Sequence, residues 1–288
     1  MKTRPYIILT PTYCVSAGVR VMHQLCHELN TIGFDARLML TSNLSPPGQP
    51  LLNPALNTPT INQDFNEEWW AAMNEDCIVI YPDSIRGNPL NAKRYVMYIL
   101  GTETQPAPDD EFRVYYSRSY RFDKRKSAPV LFYFPVDLSL FNTRNAPERT
   151  QDMLWLGKGS RFCTEKPANV VDITYQWPAT RPELAEQLRK TRYMYSYDAL
   201  SCTNNEAVLC GAIVILKHVS YHDMKWTRED MEYYELGTGG MAFGDSPAEI
   251  DRAIRTADEA QARARYAVAT FRHDLLKFAD QTQSHFIL

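Results

Sequence analysis

The stretch DALSCTNNEAVLCGAIVIL, residues 198–216, sets two carboxylates, Asp198 and Glu206, on either side of a run of small polar residues and ahead of an apolar segment. In a parallel β/α unit the carboxyl end of each strand opens on the ligand crevice, where the following helix presents unpaired N–H groups and partial positive charge. Asp198 follows the strand-like run Tyr193 to Tyr197, Ser201 to Asn205 form the turn, and Glu206 lies in the first helical turn. Backbone N–H groups around Thr203 and Asn204, with the Ser201 hydroxyl, could hold a diphosphate while a carboxylate accepts both hydroxyls of a ribose. The run Thr203-Asn204-Asn205-Glu206 equally matches a capping box, which stabilises a helix by about 1 kcal/mol with no ligand at all. On the local pattern alone the cap is favoured.

Asp198-x7-Glu206, followed by Ala207 and by Cys210-Gly211 before an apolar strand, resembles the E-x7-E donor signature of GT-B-fold glycosyltransferases. Ser16-Ala17-Gly18-Val19 is similar to the small-residue loop after the first strand of these enzymes. MLWLGKGS resembles the first strand of their donor domain, GTGGMAFGDSPAEIDRAI their final strand and helix, and Arg265 to Phe286 a terminal helix that returns to the first domain. The resemblance implies an α/β chain of two Rossmann-like parallel-sheet domains facing a cleft. It further implies that Glu206 binds the donor ribose, that Asp198 contacts the donor sugar, and that transfer is retaining. Asp198 stands where the family usually has the longer Glu, and the turn lacks the family's glycines, leaving Ser201, Thr203 and Asn204 as the donors to phosphate. With the resemblance added, the ligand outweighs the cap.

A departing diphosphate needs fixed cations or backbone donors. Lys158 and Arg161, just after MLWL, are candidate clamps, Arg as a fork and Lys as a point charge; both are also ordinary loop cations. Ala17 and Gly18 let a helix N-terminus approach the donor, or merely form a tight turn. Asp83 and Asn88 follow the strand Asp76 to Tyr81, where a catalytic base or an acceptor contact would sit, although Pro82 and Pro89 make turn roles the stronger alternative. No D-x-D triplet signals a metal-dependent design, and G-x-G-x-x-G and G-x-x-x-x-G-K-[ST] are absent, so neither NAD nor a P-loop is indicated. His23 and His27, at i and i+4 with Cys26 between, are read as packing and surface residues.

Elements must position these groups. Pro5 to Thr10 predicts a strand, Val19 to Leu29 an amphipathic helix ended by Gly33, and Phe34 to Leu40 a second strand. Thr41 to Gln63 reads as a long loop of the kind that serves as a lid. Asp76 to Tyr81 predicts a strand, Tyr95 to Leu100 a helix, and Arg113 to Ser117 and Val130 to Phe134 short strands. PVDLSLFNTRNAPERTQ has no period and reads as a linker. The alternation then restarts: strands at Met153 to Leu156, Val170 to Gln176, Tyr193 to Tyr197 and Ala212 to Leu216, and helices at Pro182 to Lys190 and from Ser246-Pro247-Ala248-Glu249 onward. Residues 1–147, completed by the helix 268–288, are expected to form an acceptor-side domain, and 148–267 the donor domain.

At 288 residues, with 44% hydrophobic and 23% charged residues, the chain suits two soluble globular domains. A net charge of -3 offers no field for nucleic acid. The six scattered cysteines suggest reduced thiols, and the short apolar run near the start fails as a signal peptide. The expectation is a cytoplasmic glycosyltransferase with at most peripheral contact at the inner face of the membrane, needing no cofactor. Its donor would be a nucleoside-diphosphate sugar, a UDP-sugar first, and its acceptor a glycan or lipid-linked sugar in polysaccharide biosynthesis. A nucleotide-sugar epimerase and a non-catalytic two-domain binding protein are the competing expectations.

Overall fold

The protein is represented by a computed structural model that describes all residues except 1–2, 15, 43–49, 104, 107, 109–110, 124–126, 220–225 and 287–288. The chain divides into two compact units, one of Met1–Pro135 with Thr270–Leu288 and the other of Val136–Ala269. The sequence put the boundary near 148. The segment 136–147 packs with the second unit because it is not a bare linker: Phe141 is fully buried and Arg189 Nη1 donates to the Leu140 carbonyl at 3.0 Å.

In the first unit a five-stranded parallel sheet has the order β2-β1-β3-β4-β5, formed by β1 (Tyr6–Thr10), β2 (Ala36–Leu40), β3 (Ile78–Pro82), β4 (Tyr95–Ile99) and β5 (Phe112–Tyr115). The inner strands β1, β3 and β4 read as largely apolar runs because a parallel sheet is covered on both faces, whereas the edge strands β2 and β5 carry Arg37 and Arg113. The same property explains a correction: Tyr95 to Leu100, expected to be helical, contains β4 paired with β3 from Val79↔Tyr95 to Pro82↔Tyr98. An apolar run buried all round carries no period that separates strand from helix. Helix α1 (Ala17–Thr31) buries Val21, Met22, Leu25, Cys26 and Leu29 on one face. Helix α2 (Glu67–Asn74), capped by Asn66, was not foreseen.

The expected lid, Thr41 to Gln63, is described only outside 43–49. Its far end is fixed: Ile61 is fully buried and Asn62 bonds both the N–H and the carbonyl of Leu40 at 2.8 Å. Of Val130 to Phe134, only Val130 pairs, through a bridge to Tyr115.

The second unit repeats the winding. Its sheet, β10-β9-β8-β6-β7, comprises β6 (Gln151–Trp155), β7 (Val170–Ile173), β8 (Thr191–Ser196), β9 (Ile213–Leu216) and β10 (Met241–Phe243), all parallel. Numbered within its own unit, each sheet has the order 2-1-3-4-5, the doubly wound pattern in which ligands bind where the strand order reverses. Those switch points lie between β1 and β3 and between β6 and β8. Helices α3 (Arg181–Arg189), α4 (Cys202–Leu209) and the short α5 (Arg228–Tyr233) follow β7, β8 and β9. Helix α6 (Pro247–His285) is one continuous helix whose last part belongs to the first unit, where Tyr6 bonds Thr282 Oγ1 at 2.7 Å and stacks on Phe278.

Candidate functional site

At the second unit's switch point, β6 ends in Trp155 and the chain turns through a 3-10 segment, Gly157–Phe162, where Lys158 was expected to follow the strand directly. This turn lies hard against the end of β8. Gly157 has φ +47°, and a Cβ there would sit 2.4 Å from Asp198 Oδ2; one at Gly159 would sit 1.8 Å from the Tyr197 carbonyl oxygen. Only glycine permits both approaches. Asp198, 5% exposed, receives the Lys158 N–H on Oδ2 at 3.0 Å. Burial pushes its carboxyl pKa up, against the backbone amide and charge of Lys158 and the amide of Leu200. The structure therefore turns Asp198 toward the loop after β6, a positioning role that the motif did not reveal.

The polar turn after Asp198 is built from its own side chains. Ser201 is the N-cap of α4 and accepts from Thr203 N at 3.3 Å. Asn204, fully buried, donates from Nδ2 to the Asp198 and Ala199 carbonyls at 2.8 and 3.1 Å. The capping box expected of Thr203 and Glu206 is not formed, since the helix begins at Cys202 and both residues lie inside it. Glu206 instead is 1% exposed and pairs through Oε1 with Arg181 Nη2, at the first residue of α3. Arg181 lies over the Phe141 ring, 4.6 Å from its centroid. Sequence reasoning missed Arg181, although the Thr180-x-x-Glu183 box with Pro182 marks the helix start and both halves of that box form.

Lys158 and Arg161 are exposed on the turn; Arg161 lies 4.7 Å above the Phe162 ring, whose plane stacks with His218 at 3.6 Å. A small recess beside the Asp198 turn is lined by Ala199, Leu200, Asn205, Trp226, Met231, Tyr234, Gly237 and Met241.

The first unit's switch point carries the remaining candidates. Ala17 opens α1 behind Ser16, and Gly18 meets only the Leu100 side chain, with a Cβ at an ordinary 3.5 Å. Glycine is therefore not demanded there by packing. Asp83 follows β3 as an exposed residue; desolvation pushes its pKa up, opposed chiefly by the amides of Leu100 and Gly101. Asn88 is committed to its turn: Oδ1 accepts from Tyr81 Oη and Ala92 N, and Nδ2 donates to the Ala92 carbonyl. The amide expected to meet an acceptor thus closes a loop.

His23, Cys26 and His27 are separately employed, His23 and His27 with Pro11 O and Asn57 N, Cys26 with Ala36 O. Among the described residues no group of three His, Cys, Asp or Glu side chains is placed to hold a metal, and no helix is long and apolar enough to cross a membrane.

His23 is fully buried; because a carbonyl only accepts, Nε2 carries the proton toward Pro11, leaving Nδ1 a buried acceptor without a partner. Burial lowers its pKa below the ordinary 6.5. The unfolded chain therefore takes up the proton first, so His23's contribution is whole above pH 6.5 and is lost as pH falls from there through its folded pKa. We expect the unfolding free energy to fall below that pH with a slope of up to about 1.4 kcal/mol per unit. His23→Gln, which can still donate to Pro11, should flatten this slope; an unchanged slope would refute the assignment.

Eight buried side-chain polar atoms lack a partner among the described residues, and six of them flank the two switch points. Thr10 Oγ1, Arg20 Nε and His23 Nδ1 lie at the end of β1 and the opening turns of α1. Trp155 Nε1, Asn204 Oδ1 and Glu206 Oε2 lie at the end of β6 and on α4. Unpaired buried polar groups are rare in the interior of a folded chain, and their gathering where this topology binds ligands marks these places.

No family model matches the sequence, and no curated protein matches it. In structure the chain is similar to the spinosyn forosaminyltransferase SpnP, with a TM-score of 0.54 at 10% identity over 98% of this chain and 100% of that one. It is also similar to the glycotransferase of kitacinnamycin, with a TM-score of 0.50 at 8% identity over 98% and 100%. Two five-stranded parallel sheets flanked by helices, in two α/β units, are the architecture of GT-B glycosyltransferase structures, and this chain has that fold.

Proposed function

We propose that the chain is a glycosyltransferase that takes a sugar from a nucleoside-diphosphate sugar held at the switch point of the second unit. The observation that carries this reading is the set of buried, unpartnered atoms of Trp155, Asn204 and Glu206 around the Asp198 turn, in a fold shared with named glycosyltransferases. The hydroxyls of Ser201 and Thr203, with Lys158 and Arg161, supply donors and positive charge for the phosphates, while Asn204, whose amide groups are turned to Ser201, Asp198 and Ala199, braces the turn. Glu206 supplies the acceptor for ribose hydroxyls, and Asp198 holds the loop that presents Lys158.

In the reaction the bond from the anomeric carbon to the diphosphate oxygen breaks, and a bond from that carbon to an acceptor hydroxyl oxygen forms. The hydroxyl proton passes to the departing phosphate if transfer is retaining, as we propose, and an inverting transfer would need a carboxylate base, for which Asp83 is our candidate. The transition-state charge is met by these fixed groups, without a metal step. The acceptor is a glycan or lipid-linked sugar, the role polysaccharide biosynthesis, and the setting the cytoplasm, in keeping with six free thiols.

The test is incubation in EDTA with UDP-, GDP- and ADP-sugars and mixed glycan acceptors, followed by product analysis. Release of the diphosphate with a glycosylated acceptor is expected. A donor returned as its epimer without an acceptor would replace this reading with an epimerase, and no turnover or nucleotide binding at all would leave a binding protein of another kind.

A further inference from the structure

The contact between Arg181 and Glu206 is lopsided. The carboxylate is 1% exposed and cannot leave α4, whereas the guanidinium side chain is 41% exposed. Only Nη2 donates, to Oε1, so the fork that could fill both carboxylate oxygens fills one, and Oε2 stays buried with nothing to accept from. The backbone at Arg181 is fixed: Thr180 caps α3, accepting from Glu183 N while Glu183 returns to Thr180 N. Beneath the guanidinium lies the Phe141 ring, a flat face on which a planar cation stacks without a directional hydrogen bond to hold it. An anchored stem, an exposed head and a half-filled carboxylate describe a cation that can be exchanged for another donor.

Resting on the donor site proposed above, we infer that Arg181 is a latch over Glu206 that opens onto phosphate. Without ligand, the guanidinium covers the carboxylate that ribose hydroxyls would otherwise occupy. When a nucleoside diphosphate binds at the opening of α4, two hydroxyls replace it and satisfy Oε2 as well as Oε1, and the released guanidinium turns to the phosphate oxygens. A nucleoside without phosphates must displace the same cation and offers it no new partner. Arg181 thus makes the site select for the charged ligand by opposing the uncharged one.

The test compares wild type and Arg181→Gln by calorimetric titration with the diphosphate that binds best among UDP, GDP and ADP and with its matching nucleoside. The variant should bind the nucleoside at least as tightly as wild type and the diphosphate more weakly, so that the preference for diphosphate falls about tenfold, as loss of a charge-assisted fork implies. Parallel weakening of both ligands, or no change in either, overturns the latch while leaving the donor site intact. Failure of wild type to bind any nucleotide overturns the donor site itself and the latch with it. Should Arg181→Gln unfold because Glu206 is left unpaired, the double variant R181Q/E206Q carries no unpaired charge. Its diphosphate preference, measured against E206Q alone, must then still fall, through the phosphate contact alone because no carboxylate is left to cover, and an equal preference in the two overturns the latch.

Discussion

Gly159→Ala should destabilise the second unit by about 3 kcal/mol, the largest effect we expect of a single methyl group in this chain. The added carbon would lie 1.8 Å from the Tyr197 carbonyl oxygen and 2.5 Å from its carbon, both backbone atoms of the chain leaving β8, which cannot rotate aside. The 3-10 turn must therefore lift from the sheet. Overpacking of this kind costs about 1–3 kcal/mol, and lifting the turn also breaks the Lys158 N–H bond to Asp198, leaving a buried carboxylate short of a donor at a further cost of about 1–3 kcal/mol. Gly18→Ala is the control, since its methyl meets only a leucine side chain and alanine favours helix. Equilibrium denaturation of both variants checks the claim, and a Gly159→Ala midpoint equal to wild type would contradict it.

Arg181→Ala is expected to cost about 2–3 kcal/mol, less than the usual loss of about 3–5 kcal/mol for breaking a fully buried pair because its head is partly hydrated. What remains is Glu206, a carboxylate with no solvent contact and no partner on either oxygen. In an E206Q background the same Arg181→Ala change should cost under about 1 kcal/mol, since no charge is stranded. Equal costs in the two backgrounds would show that Arg181 stabilises through its packing on Phe141 alone.

The alternation of strand and helix, and the two parallel sheets it implies, were legible because a β/α chain writes its elements as apolar runs separated by amphipathic helices. Tyr95 to Leu100 was misread for the reason given by its burial, which erases the period that distinguishes the two. The segment 136–147 lacked period and passed for a linker, although Phe141 is a core residue of the second unit, held under Arg181 and α3.

At the site, spacing located the turn and the loop after β6 but not their internal roles. Asp198 faces the Lys158 amide because two glycines bring that loop within contact distance, a closeness visible only once β6 and β8 are neighbours. Thr203 to Glu206 satisfied the pattern of a capping box while Ser201 began the helix two residues earlier. Arg181 reaches Glu206 across the packing of α3 on α4, a contact between residues 25 apart that no local pattern encodes.

Calorimetric titration of the protein and of Glu206→Gln with UDP, GDP, ADP and CMP, in EDTA, tests the central claim most directly. Because Glu206 is no helix cap, Gln keeps its shape, leaves a neutral partner for Arg181 and removes only the charge that accepts ribose hydroxyls. We expect one nucleotide to bind the wild type, with loss of about tenfold or more in the variant and little change in melting temperature. Equal binding by the two proteins, or no nucleotide binding by either, would contradict the assignment of this turn as a donor site.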